Sequence, residues 1–274
     1  MKKIAPNKPN KIGSTSGVCS LEGVRDLVNI TIPIYNEERR LERCITLVRA
    51  FLDREQHATI EVVFAENGCT DGSISICKAF CKTDSRFRLI STNGVKGRGA
   101  ALSAAWQETS ASIVSYMDVD IATDLACLPA LLAPLRSDQA DLTFGSRFLP
   151  QSRVQREFSR RIVGWGYSRF IRTLFQTDVN DFQCGFKAFR RDPLLSCLPL
   201  IRDRGWFFDT ELLLIAERKG FRLKEIPIIW NAGKESKVRL PSSSFQMALA
   251  ALKLRVSIRQ RLIAEKTKVK LPNG

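Results

Sequence analysis

Short apolar runs and helical stretches alternate four times between residues 27 and 117, and this rhythm limits the folds open to the chain. Residues 27–34 (LVNITIPI), Ile60–Ala65, Phe87–Ser91 and Ile113–Met117 are rich in β-branched or aromatic residues and have the length of buried strands. Between them lie an amphipathic helix over Glu37–Asp53 and a second over Ser73–Lys82. A third is opened by Gly94-Val95-Lys96-Gly97-Arg98-Gly99 and runs to about Thr109. Strand and helix in this order predict a parallel sheet with right-handed crossovers. At 274 residues, one large α/β domain is expected rather than two.

The fourth strand runs straight into Asp118-Val119-Asp120. Side chains two apart on a strand share a face, so both carboxylates can aim at one point beyond its carboxyl end. Open α/β sheets bind ligands there, and two hard oxygen ligands suit Mg²⁺ or Mn²⁺ carrying a diphosphate. Alone, an Asp-x-Asp is a weak signal, and two solvated aspartates on a polar strand end are the plainer reading.

Further along, the pattern predicts a helix near Asp124–Arg136 and a strand over Ala140–Phe144, ending in Gly145-Ser146-Arg147. Residues 154–176 mix Arg156, Arg160, Arg161, Arg169 and Arg172 with Phe158, Ile162, Trp165, Tyr167, Phe170, Leu174 and Phe175. That composition suits a helix in a membrane interface, or equally one half-buried in the protein with a basic face. A short strand is expected after Asp181–Lys187, then a turn at Arg190–Asp192, a helix from Trp206 to about Lys219 and a last strand over Arg222–Ile229. The final helix, Pro241–Ile263, carries two apolar stripes. Phe245, Leu249, Leu252, Val256 and Ile263 form one; Met247, Ala251, Leu254, Ile258 and Leu262 form the other. One stripe is enough to dock on the domain, so the second calls for a lipid surface or a partner, a second copy included.

Residues 1–26 are basic and rich in Pro, Gly and Ser, without the apolar run of a signal peptide, and read as a disordered tail. The expected division is that tail, a domain over 27–240, and an amphipathic helix with a basic tail over 241–274. The longest uncharged stretch, Leu240–Leu252, is too short to span a bilayer. The net charge of +15 implies anionic partners: nucleic acid, a phospholipid surface or phosphorylated substrates. No helix-turn-helix, zinc finger or base-stacking motif is recognisable, so specific nucleic-acid binding is not expected. Eight scattered cysteines fit reduced thiols in a cytosolic compartment, and the single histidine, His57, argues against zinc chemistry or a His-based triad.

Five elements, in this order and spacing, resemble the family 2 glycosyltransferases of glycosyltransferase-A fold. They are Pro33-x-Tyr35-Asn36-Glu37, Glu66-Asn67-Gly68-x-x-Asp71, Lys96-Gly97-Arg98-Gly99-Ala100-Ala101, Asp118-x-Asp120 and Gly145-Ser146-Arg147. A narrower resemblance, to dolichyl- or polyprenyl-phosphate hexosyltransferases and most to the dolichyl-phosphate β-glucosyltransferase branch, rests on four more. These are Asp120-Ile121-Ala122-Thr123, Gln183-Cys184-Gly185-Phe186-Lys187, Phe208-Asp209-Thr210-Glu211-Leu212-Leu213, and Glu225-x-Pro227-x-x-Trp230 with Ser236-Lys237-Val238. Ala122 stands where the phosphomannose branch usually has Gln, which argues mildly against mannose; glucose is the favoured hexose. Glu66-Asn67-Gly68-Cys69 stands where the family usually has Asp-Asp-Gly-Ser, which leaves the base open between UDP and GDP, with UDP favoured.

The resemblance implies a single-domain nucleotide-diphospho-sugar transferase (glycosyltransferase-A) fold: a mostly parallel, Rossmann-like central sheet flanked by helices, with C-terminal amphipathic helices. It implies an inverting, metal-dependent hexosyl transfer from a nucleotide-sugar donor to polyprenyl or dolichyl phosphate. Pro33, Tyr35, Glu37, Glu66, Asn67, Asp71, Lys96, Arg98 and Asp118 would bind the donor, and Asp118 and Asp120 would hold Mg²⁺ or Mn²⁺. Arg147, Arg160, Arg161 and Lys237 would position the acceptor phosphate. Asp120, Arg147 and Asp181 would stand at the reacting centre, Asp181 orienting the sugar hydroxyls or serving as base for a hydroxyl acceptor. Asp71, at helical-start spacing, equally suits an N-cap. The expected location is the cytoplasmic face of a membrane, held peripherally. A transferase acting on a saccharide or other hydroxyl acceptor is the alternative.

Overall fold

A computed structural model of the chain describes residues 27–55, 60–92, 95–155, 158–231 and 240–270, without the side chains of 55, 158–160, 240–245 and 268–270. The tail over 1–26, His57 and Lys237 lie outside the described residues. The first seven elements are β1 (Val28–Ile34), α1 (Glu38–Glu55), β2 (Ile60–Glu66), α2 (Ser73–Cys81), β3 (Phe87–Ser91), α3 (Arg98–Glu108) and β4 (Ile113–Met117). There follow a 3₁₀ turn at Leu125–Cys127, α4 (Leu128–Arg136), β5 (Leu142–Ser146), β6 (Arg153–Gln155), α5 (Phe158–Phe175), β7 (Phe186–Arg190) and α6 (Arg191–Cys197). The last are α7 (Phe208–Arg218), β8 (Leu223–Pro227), β9 (Ile229–Asn231) and α8 (Leu240–Lys270).

Seven strands form one sheet in the order β3-β2-β1-β4-β7-β5-β8. All its neighbours are parallel except that β7 runs antiparallel to both β4 and β5. The chain builds outward from β1 through β2 to β3, then returns to place β4 on the other side of β1. The carboxyl ends of β1 and β4 therefore open the crevice where an α/β sheet takes its ligand.

Alternation along the strands supplies two cores. Ile113 and Met117 of β4 face the helices α1, α2 and α4, through Leu41, Cys77 and Leu131. Val114 and Tyr116 face the other way, into a cluster with Trp106 of α3, Leu194 of α6 and Leu212 of α7. A strand covered on both faces reads as continuously apolar, which is why β4 is legible as buried. The helices α5 and α8 form an outer layer, adding Tyr167, Ile171, Met247, Ala251 and Leu254 to that second cluster.

Three sequence expectations need correction. The stretch Arg222–Ile229 is two strands: β8 joins the main sheet, and β9 pairs in parallel with β6 in a separate ribbon. Pro227 cannot donate to a ladder, and the chain changes sheets just after it. Residues 154–155 belong to β6, so the basic aromatic helix starts at Phe158. Arg190–Asp192 is the beginning of α6 rather than a turn, because Pro193 sits in its first turn, where a missing N–H costs nothing.

Candidate active site

The loops after β1 and β2 hold each other through polar side chains. Asn36, in a left-handed conformation (φ 52°), accepts the Thr70 amide at 2.8 Å, and the Glu37 amide donates to Ser73 Oγ at 2.9 Å. Asp71 accepts from the amides of Glu38 (3.2 Å) and Ser73 (3.0 Å), so one carboxylate serves the N-termini of both α1 and α2. Glu38 reciprocates by accepting the Gly72 amide at 3.1 Å. Burial would raise the Asp71 carboxyl slightly; bonds from the Ser73 hydroxyl and from those amides outweigh it and hold it below the usual range. Glu66, buried at the end of β2, accepts from the Cys69 amide and from Ser91 Oγ (2.8 Å). Glu37 pairs with Arg40. Of the residues predicted for the donor here, Tyr35 is exposed, whereas Pro33 continues the β1–β2 ladder opposite Ala65.

The glycine loop before α3 is clamped as well. The Gly97 amide donates to Asn67 Oδ1 and the Gly99 amide to the Arg204 carbonyl at 2.8 Å. Gly97 has φ +135°, and a Cβ there would lie 2.3 Å from that carbonyl oxygen, so only glycine fits. Two amides at the start of α3 are thus already bonded within the protein. What the loop presents is the exposed Lys96 and the guanidinium of Arg98.

Arg98 is a bridge. Its Nη2 donates to Asp118 Oδ1 at 2.7 Å and its Nη1 to Asp209 Oδ2, over the face of Tyr116 and beside Trp206. Asp209, in the first turn of α7, is buried and also receives the Tyr116 hydroxyl. Lys187 of β7 is fully buried (0% exposed), 3.5 Å from Asp209, and donates to Tyr116 Oη (3.0 Å) and the Cys184 carbonyl (2.6 Å). Burial alone would raise the Asp209 carboxyl; Lys187 and Arg98 outweigh it and hold it below the usual range. Burial and the Asp209 charge push the Tyr116 phenol well up, so it remains a donor. Lys187, Asp209 and Tyr116 carry no role in the sequence reading. The legible signal was Lys187 itself, a lone charge inside the buried run Phe186-Lys187-Ala188-Phe189.

Asp118 and Asp120 follow β4 as predicted, in a turn closed by the Ile121 amide on the Asp118 carbonyl at 3.1 Å. Asp118 remains 44% exposed. A Cβ on Gly185 would fall 1.7 Å from its Oδ2, so the glycine after Cys184 makes room for the carboxylate. Burial and then the charge of Asp118 push the Asp120 carboxyl above its ordinary value. Among the described residues no group of three or more His, Cys, Asp or Glu could hold a metal. Two hard oxygen donors, one of them half-exposed, would suit Mg²⁺ or Mn²⁺ if phosphate oxygens and water supplied the other ligands. Strand β9 borders the same turn, its Asn231 amide donating to the Ala122 carbonyl at 2.7 Å.

Asp181 and Arg147 are brought together. Nε and Nη2 of Arg147 donate to Oδ2 and Oδ1 at 2.7 Å each, and the Arg147 amide adds a third bond at 3.0 Å. The guanidinium lies over Trp230 of β9. Burial would raise the Asp181 carboxyl, but Arg147 outweighs it and holds it below the usual range. Of the other cations predicted for the acceptor, Arg161 is exposed on α5; Lys237 and the Arg160 side chain lie outside the described residues.

On the surface, the two stripes of α8 separate. Met247, Ala251, Leu254 and Ile258 are buried, with Leu262 packed beside them, while Leu249, Leu252, Val256 (78%) and Ile263 are exposed. On α5, Tyr167, Ile171 and Phe175 face inward; Ile162, Val163, Trp165 (57%) and Phe170 are exposed. Both helices brace α7: Tyr167 Oη and Thr210 Oγ1 are 2.8 Å apart, and Arg261 pairs with Glu211. Among the described residues no helix is long and apolar enough to cross a membrane.

Comparison with known proteins agrees with this layout. The chain is 34% identical over 214 residues to glycosyltransferase AglD of Haloferax volcanii, covering 78% of this chain and about a third (34%) of that longer protein. It is 27% identical over 239 residues to the dolichyl-phosphate beta-glucosyltransferase of Saccharomyces cerevisiae, covering 81% of this chain and 72% of that one. A solved structure of glucosyl-3-phosphoglycerate synthase from Mycobacterium tuberculosis with Mn²⁺, UDP-Glc and phosphoglyceric acid superposes with a TM-score of 0.65. It is 18% identical, covers 84% of this chain and 79% of that one, and shares the fold. The family model for glycosyl transferase family 2 matches residues 29–198, from the first strand through the Asp-x-Asp and the Asp181 loop, and the chain belongs to that family.

Proposed function

We propose that this glycosyltransferase moves a hexose, glucose by preference, from a UDP-sugar to the phosphate of a polyprenyl or dolichyl lipid, with Mg²⁺ or Mn²⁺, at the cytoplasmic face of a membrane. In the reaction the bond from the anomeric carbon to the UDP oxygen breaks, its electron pair leaving with UDP. An acceptor phosphate oxygen forms the new bond from the opposite face. The cation held by Asp118 and Asp120 would neutralise charge growing on the leaving diphosphate. Arg98, bonded to Asp118, and the exposed Lys96 would add positive charge there. Glu37, Glu66, Asn67 and Asp71 shape the nucleoside end mainly by fixing the loops, and Tyr35 offers an exposed ring there.

The observation that carries the phosphate acceptor is the Asp181–Arg147 pair. A hydroxyl acceptor needs a base with a lone pair facing it. Asp181 has both oxygens on Arg147, is 1% exposed, and is held below the usual carboxylate range. A phosphate monoester, largely ionised above a second pKa of about 6, needs cations rather than a base. Arg147, Arg160, Arg161 and Lys237 are the candidates to supply them, and Asp181 then holds Arg147 in place.

The exposed rows of α5 and α8 support a membrane location. Apolar side chains stand beside Arg161, Arg169, Arg172, Lys253, Arg255 and Arg259 on helices whose inner faces brace the site. Cations near an anionic leaflet contribute about 1 kcal/mol each, enough in number for reversible attachment. The test incubates the protein with radiolabelled UDP-glucose, Mn²⁺ and short-chain polyprenyl phosphate in anionic vesicles, then extracts with organic solvent. Label should enter the organic phase, and Trp165→Ser with Phe170→Ser should lower both its yield and vesicle sedimentation. No lipid-soluble label with any nucleotide sugar overturns the reading.

A further inference from the structure

Arg98 stands between two carboxylates of opposite accessibility. On one side is Asp209, buried and already matched by Lys187 and the Tyr116 hydroxyl. On the other is Asp118, nearly half exposed and one of the pair expected to bind a divalent cation. A guanidinium suits this position because its rigid fork can satisfy both carboxylates at once. It is packed over Tyr116 and next to Trp206, so it approaches Asp118 from the protein side of the site.

We propose that Arg98 is a built-in counter-cation for Asp118: held from behind by Asp209, it neutralises Asp118 until a divalent cation arrives together with the donor's diphosphate. Arg98 then keeps its bond to Asp209 and turns Nη2 from Asp118 to the diphosphate. Asp209, Lys187 and Tyr116 are positioning residues in this scheme, since they act only through Arg98. The charges account for the order. With Arg98 on Asp118, an incoming cation meets a carboxylate that already has a partner, and displacing that partner leaves a guanidinium facing the cation. The diphosphate relieves both conditions by offering anionic oxygen to each. Uptake of the cation alone is therefore weak, and uptake with the nucleotide is strong. This rests on the reading of Asp118 and Asp120 as the cation-binding pair.

Mn²⁺ binding to the full chain, followed by the electron paramagnetic resonance signal of free Mn²⁺, tests it without turnover. Wild-type protein should bind Mn²⁺ weakly alone and tightly with UDP. Arg98→Met leaves Asp209 its lysine and tyrosine, and should bind Mn²⁺ alone about tenfold more tightly than wild type. Asp209→Asn should act in the opposite sense, because Arg98 is left with Asp118 as its only carboxylate partner. A purely structural role would lower the melting temperature of both variants and move Mn²⁺ affinity the same way in each. Unchanged or weaker Mn²⁺ binding by Arg98→Met, with normal binding of Mn²⁺ and UDP by wild type, overturns the counter-cation alone. Wild-type Mn²⁺ binding that UDP does not strengthen and Asp118→Asn does not alter overturns both it and the cation site.

Discussion

Two regions of this molecule are rich in carboxylates, and they use them differently. In the turns after β1 and β2, Glu38, Glu66 and Asp71 accept from backbone amides and a serine hydroxyl. Around the ends of β4 and β7, Asp118, Asp181 and Asp209 are matched by Arg98, Arg147 and Lys187. Amide donors are fixed, so the carboxylates they hold in these two turns act as scaffold. A side-chain cation can change partner when a charged ligand enters, so the second region is equipped to respond to an anionic ligand.

This contrast is open to attack from both ends. The largest effect is expected from Asp118→Ala combined with Asp120→Ala. Transfer should fall roughly 10³-fold, the loss of several kcal/mol of charge stabilisation, and residual activity should ignore EDTA. The melting temperature should change little, because burial and then the charge of Asp118 already raise the Asp120 carboxyl, and Arg98 keeps Asp209 as a partner when Asp118 is lost. Undiminished transfer in EDTA by the double variant would make the pair structural. A smaller effect belongs to the other region. Asp71→Ala strips an acceptor from two helix N-termini and should cost about 1 kcal/mol in urea unfolding. Its change in UDP affinity should be smaller than that cost. A UDP-binding defect with unaltered stability would move Asp71 into the donor site and blur the contrast.

Much of the first half was legible from sequence because strand and helix periods differ and strands buried on both faces leave long apolar runs. Asp118 and Asp120 were placed correctly at the end of β4 by that logic alone. The double stripe of α8 was also visible, but which stripe docks depends on what Tyr167 and Phe175 of α5 and Leu212 of α7 present to it. The Arg98–Asp209 bridge joins residues 111 apart, and no local spacing announces it. The same holds for Arg147 and Asp181, each predicted to act on substrate, where the structure bonds one to the other. Sequence reading finds chemical groups well and their pairing poorly, because pairing is decided by strand order.

The central claim is that an ionised phosphate, positioned by cations and needing no protein base, attacks the sugar. The pH dependence of transfer to short-chain polyprenyl phosphate, with the matching polyprenol alongside, tests it most directly. The rate with the phosphate should rise as its second ionisation is passed, at about pH 6, and stay level above it, while the alcohol is not glycosylated. Equal transfer to the alcohol, with a profile set by a protein group instead of by the acceptor, would contradict it.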